Sequence, residues 1–271
     1  MSRPSGRVLI LGGTAEARAL ASELVARGCA VVSSLAGRVR DPALPVGEVR
    51  IGGFSTASLD GIGGLAAYLV EQHITAVVDA THPFAATIST NAVAARGRTG
   101  TPLIRLQRPG WRTHPDADRW LWVDSVDDAV EAGGAYARPF LTTGRQSLSV
   151  FAAGWAEKDV TARVVDPPEF VLPSRWQLIR SRGPYAYADE HALMKAAGTD
   201  LLVTKDSGGT HTAAKLDAAR DLGIQVLVIA RPAVIGDVTE VSTTAEVLDL
   251  LKSGADPSTG GIVSVSDYDA G

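Results

Sequence analysis

The chain has 271 residues, 45% hydrophobic and 21% charged, which is enough for two globular domains with buried cores. A net charge of −4 gives no basic footprint for nucleic acid, and a single cysteine, Cys29, excludes an internal disulfide. No apolar run approaches the ~18 residues that cross a bilayer, the first six residues lack the apolar core of a signal peptide, and five His with one Cys give no metal-ligand spacing.

Residues 8–11, Val-Leu-Ile-Leu, have the length and branching of a buried strand. The strand breaks at Gly12-Gly13-Thr14, and an Ala-rich helix carrying Glu16 and Arg18 follows. Strand, glycine turn and helix make an anion site, because glycine lets the backbone approach a phosphate and the helix start presents free N–H groups. The turn is shorter than the G-x-G-x-x-G fingerprint, and a tight turn without a ligand reads the same way. A second strand spans 30–33. Ser33, Ser34 and Arg38 are expected just past it, where dinucleotide folds read the adenosine ribose. No acid appears before Asp41, so this loop leans to a 2′-phosphate and NADPH over NADH.

Further strands are expected at 49–51, 76–80, 103–106 and 120–123, with helices at 59–72, 85–96 and 125–132. The strand at 76–80 ends in Thr81-His82-Pro83-Phe84, where His82 either faces a ligand or caps the next helix. Arg108-Pro109-Gly110-Trp111 closes the strand at 103–106. The alternation then restarts, with strands at 139–141, 160–165, 177–180, 201–203 and 225–229 and a helix at 213–221. The first of these breaks at Thr142-Thr143-Gly144-Arg145-Gln146. The fourth breaks at Thr204-Lys205-Asp206-Ser207-Gly208-Gly209. Lys205 and Asp206 join His82 as catalytic candidates, or form a local ion pair of little consequence. Trp111, Trp120 and Trp122 read as core. Residues 253–271, rich in Gly, Ser and Asp, read as a disordered tail.

The halves share one plan. Arg108-Pro109 and Arg231-Pro232 lie 123 positions apart, and the same offset sets Leu103 on Val226, Gly100 on Gly223 and Thr81 on Thr204. Val123 falls on Val241 with a loop five residues shorter in the second copy, and Gly13 and Gly144 both follow an apolar strand. The expected fold is α/β, with two Rossmann-like parallel-sheet domains of similar plan: residues 1–132 for the cofactor and 133–252 for the substrate. Ligands of such sheets bind past the strand C-termini. The polar clusters at 12–14, 81–83, 142–146 and 204–209 should therefore line one interdomain cleft.

At this point the motifs LILGGTAEAR, VVDATHPFA, FLTTGRQ and LLVTKDSGG, in that order, together with RPGW and RGPY, resemble the precorrin-6A reductases over residues 8–251. The resemblance implies a cytoplasmic step of corrin synthesis in which NADPH reduces one double bond of precorrin-6A to give precorrin-6B. A related branch acts on the cobalt-bearing analogue. It also implies that Gly12, Gly13, Thr14, Glu16, Ser33, Ser34 and Arg38 hold the cofactor. Thr81, His82, Thr142, Gly144, Arg145, Gln146, Ser207, Gly208 and Gly209 would complete the site. The substrate is a flat tetrapyrrole rimmed with carboxylates, for which Arg145, Arg182 and Lys205 are candidate partners. No metal, membrane or nucleic-acid partner is implied, and a monomer suffices. Two rivals stay open. A sugar-nucleotide epimerase or dehydrogenase would carry a Tyr-x-x-x-Lys pair, but here Tyr185 is followed by Asp189. A non-enzymatic NADPH sensor would show no turnover with any tetrapyrrole.

Overall fold

The computed structural model describes residues 6–37, 43–209, 212–233 and 236–253. Its first part contains β1 (Arg7–Leu11), α1 (Ala15–Ala26), β2 (Ala30–Leu35), β3 (Glu48–Ile51), α2 (Gly61–Glu71), β4 (Ile74–Asp79), α3 (Ala86–Thr99) and β5 (Leu103–Leu106). Then come β6 (Leu121–Val123), α4 (Val126–Ala132), β7 (Pro139–Leu141), α5 (Leu148–Trp155), β8 (Thr161–Val164), β9 (Gln177–Arg180) and α6 (Tyr187–Ala196). The chain closes with β10 (Leu201–Lys205), α7 (Ala214–Asp221), β11 (Gln225–Ile229), β12 (Thr239–Val241) and α8 (Thr244–Ser253). The sequence reading lacked α5, α6 and α8. No described helix is long and apolar enough to cross a membrane. The tail beyond Ser253 and the Arg38 loop lie outside the described residues.

All strands among the described residues are parallel and form two six-stranded sheets, ordered β12-β5-β4-β1-β2-β3 and β6-β11-β10-β7-β8-β9. Each is the doubly wound order of a dinucleotide-binding fold. Parallel strands covered on both faces need apolar side chains in both directions. Accordingly, Val8, Ile10, Val78 and Ile104 pack with α1 and α8, whereas Leu9, Leu11, Val77 and Leu103 pack with α2 and α3. The second sheet repeats this, with Leu141, Val203 and Leu227 on the α5 side and Phe140, Leu202 and Val228 on the α6–α7 side. Gly100 and Gly223 end the helices before β5 and β11 with φ of 70° and 67°, a left-handed turn that favours glycine.

The boundary at 132/133 does not follow the sheets. The sixth strands are exchanged: β6 pairs with β11 in the second sheet, and β12 returns to pair with β5 in the first. The first unit thus comprises residues 6–106 and 239–253, and the second 121–229. The chain crosses between them at 107–120 and 230–238. Chemistry at the pairing positions matches the exchange. Glu240 of β12 lies opposite Arg105, whose buried guanidinium is 3.5 Å from the Glu240 carboxylate and 3.8 Å from Asp79. Trp122 of β6 lies opposite the apolar Val228 instead. Unexchanged strands would set Trp122 against Arg105 and Glu240 against Val228. Glu240→Lys, which places like charges across this pair, is expected to cost about 1–2 kcal/mol. A lower urea midpoint checks it; an unchanged midpoint would mean that other contacts choose the partner strand.

The duplication also shows a slip. Val77 pairs with Leu103 and Leu202 with Val226, so superposing β5 on β11 puts Thr81 on Asp206, not on Thr204. The second copy is two residues shorter between that position and its helix-ending glycine, Gly223 against Gly100.

Candidate active site

The C-terminal ends of the two sheets enclose a cleft of about 830 Å³. One wall carries residues 12–16, Arg18, residues 35–37, Ala43 and Ile51 of the first unit. The other carries Val165 and residues 182–185 of the second unit. His82, Arg108, Gly208, Gly209 and Thr212 lie at the junction.

The glycine turn is held open from below. Thr14 caps α1, accepting from the Ala17 amide at 3.1 Å, and its hydroxyl donates to the Ala80 carbonyl at 2.7 Å, tying the turn to the end of β4. Gly12 N–H donates to the Ser34 carbonyl. Gly13 has φ +116° and nothing within 4 Å of where a Cβ would sit, so a ligand can approach the backbone there. Open backbone, a capped twelve-residue helix and the exposed Ile51 beside Leu35 fit a dinucleotide.

Ser33 and Ser34 do not lie past the strand. They sit inside β2, paired with β1 and β3, and both are buried. Ser33 Oγ has no hydrogen-bond partner among the described residues, and Ser34 Oγ accepts from Arg50 at 2.7 Å. Neither hydroxyl lines the cleft. Arg50, which sequence reasoning missed, also donates to the Gly52 and Gly53 carbonyls and stacks 3.9 Å from the Phe54 ring centroid, shaping the shelf beneath Ile51.

At the junction, Arg108 bridges the units. Its Nη1 donates to Glu16 on α1 at 2.9 Å, and its Nε donates to the Ser207 carbonyl at 2.7 Å. Burial alone would raise the Glu16 carboxyl. The backbone N–H of Glu16 and the Arg108 guanidinium outweigh burial and hold it below the ordinary range. Arg231, on the other crossing, donates to the Asp206 and Arg108 carbonyls and to Gln107 Oε1. Gly208 and Gly209, with φ of 64° and 73°, let the 206–209 loop lie against these crossings. A Cβ on Gly208 would meet the Pro109 carbonyl oxygen at 2.1 Å.

Asp206 is therefore a fastener rather than a cleft-facing acid. It is buried, accepts from the Trp111 amide at 2.8 Å and lies 3.4 Å from Arg231 Nε. Nor does it pair with Lys205. The Lys205 ammonium lies 5.2 Å from the Phe84 ring centroid, across the junction beside His82, and burial lowers its pKa. His82 is pushed down to about 4, first by burial and then by Arg108, Lys205, Arg231 and Lys215. Its Nδ1 accepts from the Phe84 amide at 3.2 Å, so the neutral ring carries its proton on Nε2 and is a donor. Thr81 is buried and donates to Asp79 at 2.7 Å, behind the cleft surface.

The turn at 142–146 is the second unit's counterpart of the glycine turn. Thr142 donates to the Val203 carbonyl, and Gly144 has φ +83°. Thr142, Gly144, Arg145 and Gln146 are not among the residues lining the cleft. The second wall is formed instead by the 182–185 loop, in which Tyr185 carried no sequence assignment.

Two dinucleotide-fold sheets sharing a cleft at their strand ends, with an open glycine turn on one wall, define an α/β protein of the dinucleotide-binding class. The chain belongs to the family described as Precorrin-6x reductase CbiJ/CobK, whose model matches residues 7–252. The precorrin-6A reductase of Rhodococcus erythropolis is 51% identical over 231 residues, covering 83% of this chain and 89% of that protein. That of Mycobacterium tuberculosis is 49% identical over 238 residues, 88% of this chain and 93% of its own. The solved structure of CobK precorrin-6A reductase is 39% identical, with a TM-score of 0.83 over 92% of this chain and 97% of that one.

Proposed function

We propose that this protein reduces one double bond of precorrin-6A, giving precorrin-6B, with NADPH as the reductant. The cleft carries this reading: a phosphate turn on one wall, the 182–185 loop on the other, and cations at the junction. When bound, the reduced nicotinamide supplies the hydride. The amides of the 12–14 turn and the start of α1 hold its phosphates, and Arg38, outside the described residues, is assigned to the 2′-phosphate. Arg182 and Lys205 receive macrocycle carboxylates or the negative charge that hydride addition leaves on the conjugated system. Neutral His82 donates a hydrogen bond from Nε2 and does not serve as an imidazolium acid above about pH 4. The half-buried ammonium of Lys205 is the better-placed proton source. Metal-free substrate is favoured, because precorrin-6A reductases match at 42–51% identity and cobalt-precorrin-6A reductases at 28–32%.

Anaerobic turnover of metal-free and cobalt-bearing substrate, followed by absorbance, tests the assignment. No turnover of either tetrapyrrole would leave an NADPH-binding sensor. Dissociation constants for both cofactors, on wild type and Arg38→Ala, test the choice of NADPH. A preference of about tenfold or more, from charge-assisted contacts of about 1.5–3 kcal/mol, is expected in the wild type and largely lost in the variant. Equal wild-type affinities would refute it.

A further inference from the structure

Arg163 sits on β8, between β7 and β9, with its side chain 5% exposed. Its guanidinium forms a fork with Glu190 of α6, itself 2% exposed; Nη2 donates to Oε2 at 2.9 Å and Nη1 to Oε1 over a shorter contact. Removing two such charges from water is costly, and an apolar pair of similar volume would pack at least as well. The pair touches no cleft surface directly. It touches Tyr185: the guanidinium carbon lies 3.7 Å from the centre of that ring, and 5.1 Å from the fully buried Phe140 ring. The Tyr185 hydroxyl donates to the Ser181 carbonyl at 3.1 Å, closing the loop on itself. Tyr185 lines the cleft together with Val165 and Pro184.

From this arrangement we propose that Tyr185 is the surface on which the flat macrocycle stacks, and that the buried Arg163–Glu190 pair is the positioning device that fixes its ring. One side of the ring is closed by a buried cation, so its remaining face and edge are what the cleft receives. A tethered hydroxyl and a fork-held guanidinium leave the ring little freedom, and a preorganised ring stacks at low entropic cost. Tyr185 belongs to the second unit, opposite the phosphate turn, which assigns the ring to the conjugated substrate and not to the cofactor. The inference rests on the substrate reading above.

The test compares KM for precorrin-6A, kcat, and the NADPH dissociation constant. Tyr185→Leu is expected to raise the macrocycle KM about tenfold and leave NADPH binding unchanged. Tyr185→Phe, which keeps the ring, should recover most of that loss. Glu190→Gln should raise the same KM, and the double variant Tyr185→Leu/Glu190→Gln should be no worse than Tyr185→Leu alone. An unchanged KM in Tyr185→Leu, a shift in NADPH affinity in its place, or additive losses in the double variant would overturn the proposal. If Glu190→Gln does not fold, the Leu and Phe variants at 185 decide the matter. A wild type without turnover would instead sink the substrate reading.

Discussion

Lys205→Ala is expected to lower kcat/KM for the macrocycle by about 30- to 1000-fold, or about 2–4 kcal/mol, while the NADPH dissociation constant stays within about twofold. The ammonium follows β10, reaches across to Phe84 and lies beside His82, and it makes no hydrogen bond or ion pair among the described residues. A half-buried cation so placed, just behind the residues that line the cleft, is positioned to stabilise charge that develops only during reduction. Burial lowers its pKa below the ordinary 10.5, which makes it a readier proton donor. The alkaline limb of kcat/KM should therefore fall below that value and move upward in Lys205→Arg, which keeps the charge. A Lys205→Ala enzyme with wild-type kcat/KM would reduce Lys205 to a packing partner of Phe84.

The fold was legible because parallel strands covered on both faces read as short apolar runs, each ending in glycine or a polar cluster. The glycine turn was legible for the same reason: Gly12, Gly13 and Thr14 are what a backbone approach and a helix cap require. The exchange of β6 and β12 was not. Each is a three-residue strand, and its central side chain, Trp122 or Glu240, meets Val228 or Arg105 from a distant part of the chain. Ser33 and Ser34 misled because small polar residues inside a strand look like its end; one Arg50 hydrogen bond makes Ser34 tolerable there. Thr81 and Thr204 misled by identity, since α7 is shorter than α3 and the stretch from the strand end to the helix-ending glycine is two residues shorter in the second copy. Asp206 looked like an acid for chemistry, but its partners, Trp111 and Arg231, lie on the crossing segments. The signals for the second wall were the RGPY motif at 182–185, with Arg182 as a substrate candidate, and behind it Arg163, a charge within the otherwise uncharged strand Thr-Ala-Arg-Val. Inside a doubly covered sheet such a charge demands a partner, although sequence does not say that the partner is Glu190.

Lys215→Met is expected to make the protein more stable at pH 6 and to flatten its stability between pH 7 and 10. Lys215 lies near the start of α7, buried, with its ammonium 5.2 Å from the Trp111 ring centroid. Burial, reinforced by Arg163 and partly offset by Glu190, pulls its pKa down from 10.5 to about 7. Between those values the unfolded chain binds a proton that the folded protein does not, so this group makes stability rise with pH from about 7 to about 10.5. Below about pH 7 the folded protein carries the full cost of a buried ammonium, on the order of 5 kcal/mol. Methionine keeps the length of the stem and its contact with Trp111 but has no charge to bury. Urea midpoints of both proteins at pH 6, 8 and 10 make the comparison. The variant should lead clearly at pH 6 and lose most of its lead by about pH 10, where the folded lysine is neutral and the unfolded one is nearing its own pKa of 10.5. Parallel curves would mean that the Lys215 ammonium stays charged in the fold, with Glu190 and the Trp111 ring together compensating its burial.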